Sequence, residues 1–388
     1  MIIFERNISE QEKGWIRIVV YNKEEELSDL REEWNALLQK IPSASIYLTW
    51  DWALACWKVF GRDCQLFIVA AYEEDILVGL APFWISHKLA KRIFSYKTLE
   101  LIPGSPSLLG GDHLDIMAVP EKRSAIIGAM LHSVMAGSWD VLRWESIPAS
   151  SPNIGALAAA FQKGKITYDL KPASICPYIT LPDSWEEFLT LQCSAKFRRS
   201  IRYAIKRLDT EHSTSLVRAD SPQDFSHGLK RLEDLHEERW GEKSLFRQDD
   251  FRTFHREIAR AFSARGWLRL YLLIVDGKEV AVNYGFRYGP TFFGYQTGWK
   301  KNWEKFSVGT VLLAKVIQVE LGEGAREFDL ARGADEYKFH WTSDFREELQ
   351  LNAYRPSWRA RLIHFSAFCQ NWQTRLVRRG QSLVTLRR

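Results

Sequence analysis

Two hydrophobic periods alternate along the chain, period 2 in short apolar runs and period 3.6 in the longer segments between them. IRIVVY (16–21) predicts a strand, and EEELSDLREEWNALLQKI (24–41) then sets Leu27, Leu30, Trp34, Leu37, Leu38 and Ile41 on one helical face. TWDWALACWKVFG (49–61) predicts a second helix. QLFIVAAY and ILVGLAPFWI flank the acidic turn Glu73-Glu74-Asp75 as a hairpin, and RIFSYKTLELI, HLDIMAV and VLRWESI predict further strands. A helix across 124–135 follows Pro120, a residue suited to a helix start.

The second half runs through the same plan. Helices are predicted over 222–240 and 249–264, then WLRLYLLIV and KEVAVNYGFRY joined by Asp276-Gly277, the pair that type I′ hairpins favour. TFFGYQT, a helix over 309–321 and REFDLA complete it. The two hairpins align with Val78 over Val280, an offset of 202 residues. Two copies of one β-α-α-β-β-β-α-β unit is the economical reading, resting on element order because identity between the copies is low. The expected fold class is α/β with mixed sheets, in two tandem units spanning 1–170 and 171–355. The Pro-containing PASICPYITLPD is expected to link them. Residues 356–388 form a basic tail whose Trp358, Leu362, Phe365, Cys369, Trp372 and Leu376 share a helical face, with Arg359, Arg375, Arg378 and Arg379 elsewhere. Docking on the protein is the default for that tail, and contact with another chain or an anionic membrane surface is the alternative.

Composition narrows the class. At 46% hydrophobic and 26% charged the 388 residues suit a soluble globular protein, and neither a membrane-length apolar run nor a signal-like N-terminus is present. A cytoplasmic location is expected, with peripheral contact to the inner membrane face as an option for the tail. The five cysteines form no CxxC pair and no set with metal-ligand spacing, so reduced thiols and no metal are expected. Net charge is +5, yet eight arginines and no acidic residue lie in 355–388, which leaves the rest near −3. A basic tail on a nearly neutral body gives no nucleic-acid-binding surface.

Chemistry concentrates between Phe292 and Lys338. A helix opening at Ser307-Val308-Gly309-Thr310 offers backbone N–H groups without intrahelical partners, a favourable dipole, and a glycine that lets a ligand approach the main chain. An ordinary helix capped by Ser307 would use the same residues. FDLARGADEYK (328–338) follows as a strand end and polar loop. Asp329 alternates with Phe328 and Leu330 and points to the face opposite them. Asp335, Glu336, Tyr337 and Lys338 come after a turn at Gly333. Upstream, Lys196, Arg198, Arg199, Arg202, Lys206 and Arg207 lie on an amphipathic helix with Phe197, Ile201, Ile205 and Leu208. These cations are either a solvated face or a binding site for an anionic substrate or cofactor phosphate. LHEERWGEKSLF (235–246) lacks the second histidine of HExxH. A helix end at Gly241 explains it, with Arg239 and Trp240 lining an acceptor groove. His113 and Asp115, after a glycine-rich loop, are a structural pair or part of an acceptor pocket between the units.

SAKFRRSIRYAIKRL (194–208), YQTGW (295–299), SVGTVLL (307–313) and FDLARGADEYKFHW (328–341), in this element order, resemble the GNAT acyltransferase superfamily. The similarity is closer to its CelD-type group, associated with cellulose and surface-polysaccharide loci, and the tandem layout is shared with Fem-type aminoacyl-transferases. The resemblance covers most of the chain in layout and is specific between about Ser194 and Trp341. It implies acetyl-CoA or another acyl-CoA as co-substrate, with pyrophosphate on Ser307, Val308, Gly309 and Thr310 and pantetheine between two splayed parallel strands. Acyl transfer by direct attack in a ternary complex needs a base, an oxyanion site and an acid. Asp329 or Asp335 would be the base, Tyr337 or Tyr295 the acid, and Arg198, Arg202, Arg239, Trp240 and Lys338 would bind the acceptor. That acceptor is a small molecule or an amine or hydroxyl of a glycan or envelope precursor. In the first unit the equivalent helix begins at MAVPEKRSAIIGAM, with Glu121 and no glycine at its start, so it is expected to hold no cofactor. An aminoacyl-tRNA-dependent Fem-type transferase, or a non-catalytic assembly subunit, are the rival functions.

Overall fold

The computed structural model describes residues 2–7, 15–90, 93–102 and 109–366. The first unit runs β1 (Ile2–Asn7), β2 (Trp15–Tyr21), α1 (Glu24–Asp29), α2 (Arg31–Leu38), α3 (Trp50–Phe60), β3 (Cys64–Glu73), β4 (Ile76–Ala90), β5 (Phe94–Leu101), β6 (Met117–Ala118), α4 (Arg123–Ala136), β7 (Val141–Pro148), α5 (Ile154–Lys163) and β8 (Thr167–Thr180). After α6 (Trp185–Leu191) and α7 (Ala195–Glu211) the second unit runs β9 (Thr214–Arg218), α8 (Phe225–Trp240), α9 (Asp249–Ala264), β10 (Leu268–Val275), β11 (Lys278–Tyr288), β12 (Thr291–Trp299), α10 (Val308–Gly322), β13 (Glu327–Asp329) and β14 (Phe345–Tyr354).

The repeat is visible in the sheet. Strands β2-β3-β4-β5-β7 are neighbours in that order, and β9-β10-β11-β12-β13 mirror them; in both series the last pair is parallel and the others antiparallel. Each series borrows its next strand from the other half. β14, the last strand of the second unit, pairs with β7, while β8, the last of the first, pairs with β13. β8 and β14 also pair with each other, so one mixed sheet runs through both units.

Local sequence explains most boundaries. Asp276 and Gly277 sit at φ 49° and 72°, and Glu74 and Asp75 at 47° and 63°, so both hairpins turn through left-handed residue pairs. Thr49 caps α3 by accepting from Trp52 N. The 24–41 helix breaks at Leu30 and ends at Leu38. HLDIMAV yields only the two-residue β6, because Gly110 and His113, both at positive φ, turn the chain first. The largest departure is PASICPYITLPD, which is not a linker: most of it is β8. Its prolines lack an N–H, but Pro172 stands where the β8–β14 register shifts and Pro177 where β8 changes partner from β14 to β13.

The core also crosses the repeat. Trp52 of α3 is buried against Phe254 and Phe262 of α9 and Phe286 of β11. A second cluster surrounds α10 and takes in α7 through Ile201 and Leu208. At the start of the tail, Ala360 and Ile363 pack with Val141 and Tyr354, while Trp358, Leu362 and Phe365 of the expected apolar stripe face outward. Cys369, Trp372, Leu376, Arg375, Arg378 and Arg379 lie outside the described residues. No helix among the described residues is long and apolar enough to cross a membrane.

His255 of α9 is sealed in this core among Phe246, Phe251, Phe254 and Tyr284; its Nδ1 lies 3.3 Å from the Tyr284 hydroxyl and its Nε2 has no partner among the described residues. Burial holds its pKa down at about 3, so the ring is neutral when folded but takes up a proton on unfolding below about 6.5. The unfolded chain therefore binds more protons between those values, and the His255 contribution is complete above pH 6.5 and is lost on acidification towards 3. His255→Phe should lose less stability than wild type between pH 7 and pH 4.5 in urea unfolding, by on the order of 1–3 kcal/mol. Asp115, raised to about 6 by burial, titrates in the opposite sense in both proteins and cancels from the comparison. Equal losses in the two proteins would refute this assignment.

Candidate functional site

Parallel pairing of β12 with β13 lasts three residues, to Phe293↔Asp329. Beyond it the strands part. Leu330 N turns to Pro177 O at 2.9 Å and Ala331 N folds back on Asp329 Oδ1 at 2.7 Å, while β12 continues to Trp299. Opposite the parting, the register between β11 and β12 shifts at Tyr284/Gly285, which leaves Tyr295 as the extra residue of a bulge. The opening widens into a cavity of about 740 Å³, the size of a cofactor site. Gly294, Tyr295, Gln296 and Thr297 of β12 form one wall, and Leu330, Ala331 and Arg332 form the other.

α10 opens on this cavity. Ser307, Val308, Gly309 and Thr310 all line it. Ser307 occupies the N-cap position, but at φ 52° and ψ 40° its side chain makes no capping bond. The first N–H groups of the helix are therefore left for an external acceptor. A Cβ on Gly309 would lie 3.2 Å from Cδ1 and Nε1 of Trp299, so glycine also keeps this wall open.

At the other end Arg239, Trp240, Asp335, Tyr337 and Lys338 line the cavity, so α8, α10 and the 330–338 loop converge on it. The Arg239 guanidinium lies over Trp240 at 5.2 Å and Trp299 at 5.0 Å. Trp240 and Tyr337 are half-exposed, an aromatic rim at the mouth. Burial raises the Tyr337 phenol above its usual pKa, with Asp335 adding to the effect, so it keeps its proton. Lys338 is placed differently from a free substrate-binding cation. It is buried, and its ammonium donates to Ala331 O at 3.0 Å and Arg332 O at 2.6 Å and pairs with Asp335 at 3.3 Å, which staples the loop. Arg198 and Arg202 are not among the lining residues: Arg198 donates to Leu189 O and Arg202 pairs with Glu186, while Phe197 of the same helix reaches the cavity.

Asp329 and Tyr295 are committed elsewhere. Asp329 is buried, absent from the lining, and 2.8 Å from His113 Nε2; His113 holds its carboxyl below the usual pKa despite burial. Tyr295 donates its hydroxyl to Leu109 O, and burial raises its pKa well above 10. His113 is thus a bridge between the units, whereas Asp115 caps a turn, accepting from Ile116 N, Ser151 and Asn153.

Three lining residues carry no sequence signal that marks them. Asn283, buried on β11, donates to Thr297 at 3.1 Å while its Oδ1 has no partner among the described residues. Arg332 reaches back to Asp112 of the first unit, with Nε 2.5 Å from Oδ1 and its own N–H on Oδ2 at 3.1 Å, and it also bonds Ser146. Asp112, whose pKa is raised by burial against the pull of Arg332, brings the first unit into the cavity wall with Gly110.

An uncapped helix start facing a gap between diverging parallel strands is decisive when set beside known sequences. Residues 195–339 match the acetyltransferase (GNAT) domain family. The second unit is a GNAT-type acyltransferase domain, and the fold is two GNAT-like units in tandem. No curated protein sequence matches the chain significantly. Among solved structures, FemX superposes with a TM-score of 0.60 at 12% identity, covering 83% of this chain and 95% of FemX. The C-terminal domain of a putative lysylphosphatidylglycerol synthetase from Agrobacterium fabrum gives 0.53 at 9% identity, over 88% and 96% of the two chains. L-PGS from Bacillus licheniformis gives 0.50 at 14%, over 88% and 95%. At these identities the likeness is one of fold.

Proposed function

We propose that the chain transfers an acyl group, most simply acetyl, from an acyl-CoA to an amine or hydroxyl of a glycan or cell-envelope precursor. One observation carries this reading: the α10 N-terminus, uncapped by Ser307, points its first N–H groups into the gap where β12 and β13 part. A pyrophosphate fits the N–H groups of Val308, Gly309 and Thr310, and a pantetheine arm fits the edge of β12 left without a partner after Phe293. The N–H groups of that edge would stabilise the thioester oxyanion.

For the proton transfers we assign Asp335 as base and Tyr337 as acid. Both line the cavity, whereas Asp329 is held by His113 and Tyr295 by Leu109. The base takes the proton of the attacking amine, and the phenol protonates the departing thiolate. Arg239, Trp240 and Tyr337 form a rim suited to a sugar or another flat polar acceptor, and the free Oδ1 of Asn283 would accept from an amide or amine N–H. The first unit serves as wall and scaffold. Contrary to the sequence expectation, its equivalent helix α4 opens on Lys122 and Arg123 with no acidic residue in its first turn, and Glu121 lies in the short 3-10 turn before it.

Calorimetric titration with acetyl-CoA and longer acyl-CoAs tests the donor, and heat of binding from at least one of them is expected. Asp335→Asn should lower kcat by about 100-fold or more with CoA affinity unchanged. An unchanged kcat would remove Asp335 from the mechanism. A second reading is the one that the Fem-type resemblance of the tandem layout implies, an aminoacyl-tRNA donor; the superposition on FemX supports the layout alone. Absence of binding by every CoA, with aminoacyl transfer observed instead, would favour it. The CelD-type resemblance, a cytoplasmic location and membrane contact through the tail belong to the same proposal.

A further inference from the structure

The junction of the two units holds a buried group of side chains that the transfer chemistry leaves unused. His113 arrives on the loop before β6, Cys176 on β8 and Glu348 on β14, and one donor atom from each lies within 4.8 Å of the others. All three are buried, Cys176 and Glu348 with no exposed surface (0%). Among the described residues neither carboxylate oxygen of Glu348 accepts a hydrogen bond, and His113 Nδ1 makes none. Glu348 Oε1 stands 2.6 Å from that nitrogen, but off the line along which a ring N–H would donate. Two carboxylates thus flank the ring in a sealed space, where a protonated His113 balances them in the absence of a metal. A divalent ion in place of the Nδ1 proton would do the same and would also take the partnerless second oxygen of Glu348 and the Cys176 sulfur.

The opposite side of the ring is already fixed. His113 Nε2 lies 2.8 Å from Asp329 Oδ2, and the other oxygen of that carboxylate accepts from Ala331 N at 2.7 Å. The Nε2 proton therefore belongs on the Asp329 side, and Nδ1, which faces Glu348 and Cys176, is the nitrogen that a metal would take once its proton leaves. A carboxylate behind a histidine in this way sets the tautomer of a metal ligand.

We propose that His113 Nδ1, Cys176 Sγ and the Glu348 carboxylate bind a zinc-type divalent ion that ties the exchanged strands β8 and β14 to the loop before β6. A mixed nitrogen, sulfur and oxygen donor set suits zinc, whereas calcium and magnesium prefer oxygen alone. The second oxygen of Glu348 completes the set. On binding, the Cys176 S–H bond gives its proton to solvent and the thiolate takes the metal; an Nδ1 proton, where present, is released in the same way. Thiolate and carboxylate then balance the two charges of the ion, and binding weakens as pH falls. The ligands are far apart in sequence, so no spacing motif announces them.

Full-length protein stripped of metal and titrated with zinc, and separately with cobalt, tests this site. About one equivalent should bind. Cobalt should give a near-ultraviolet thiolate-to-metal charge-transfer band, and zinc should raise the thermal unfolding midpoint until a chelator reverses it. Cys176→Ser should remove the band and weaken zinc by about 100-fold, and Glu348→Gln should weaken zinc while keeping the band. The wild-type titrations need no variant to fold. A wild-type cobalt complex without the charge-transfer band overturns the proposal, and so do equal zinc affinities in wild type and Cys176→Ser.

Discussion

Gly309→Asp is expected to abolish useful binding of a CoA thioester while leaving the fold intact. The substitution sets a carboxylate where the first turn of α10 presents its N–H groups, so the helix end exchanges attraction for repulsion towards a phosphate. Loss of the favourable terminus and close like-charge contact together cost about 3 kcal/mol, or roughly a 100-fold rise in Kd. The new Cβ also presses on Trp299 at 3.2 Å. Gly309→Ala carries the same contact without the charge and should lose no more than about tenfold. Isothermal titration with acetyl-CoA beside a circular dichroism melt separates affinity from folding. Wild-type affinity in the aspartate variant would show that no phosphate rests on this helix.

Asp112→Ala should be the most destabilising single change at the cavity wall. Asp112 is 1% exposed and takes both the guanidinium and the backbone N–H of Arg332. Its removal strands a cation in a largely buried place, at a cost of about 3–5 kcal/mol. Because Arg332 lines the cavity, transfer activity should fall as well. Arg332→Met combined with Asp112→Leu should recover much of the stability, since an apolar pair leaves nothing unpaired. Equilibrium urea unfolding of the two single variants and the double variant gives the coupling. Single variants within about 0.5 kcal/mol of wild type would contradict the ion pair's role.

The parts of the fold fixed by local chemistry were legible in the chain. Asp276-Gly277 demands a left-handed pair, and the pair is there. Phe251, Phe254, Ile258 and Phe262 recur at helical spacing and form the buried face of α9. The repeat was legible as element order, and the sheet shows it strand for strand. What local patterns could not carry was the exchange of β8 and β14, since Pro172 and Pro177 argue for a loop until the bulge and the partner change are seen. Nor could they place Asp329, whose alternation says which face it occupies but not that His113 waits there. Lys338 and Asp335 are neighbours in a polar loop with similar character on paper. Both line the cavity, but the fold buries the Lys338 ammonium on backbone carbonyls and leaves Asp335, its ion-pair partner, exposed. Asn283 sits in an apolar strand, where only the third dimension shows that its oxygen has no donor among the described residues.

The loan of strands between the units also sets an order for biosynthesis. β7 pairs with β5 early, but it can find its second neighbour only after β14, the last described strand, has left the ribosome. The first unit must therefore hold an unpaired edge while the whole second unit is made, a period of exposure to wrong partners. A chain cut between the units would leave both fragments with such edges, and mixing the two fragments should restore what neither has alone.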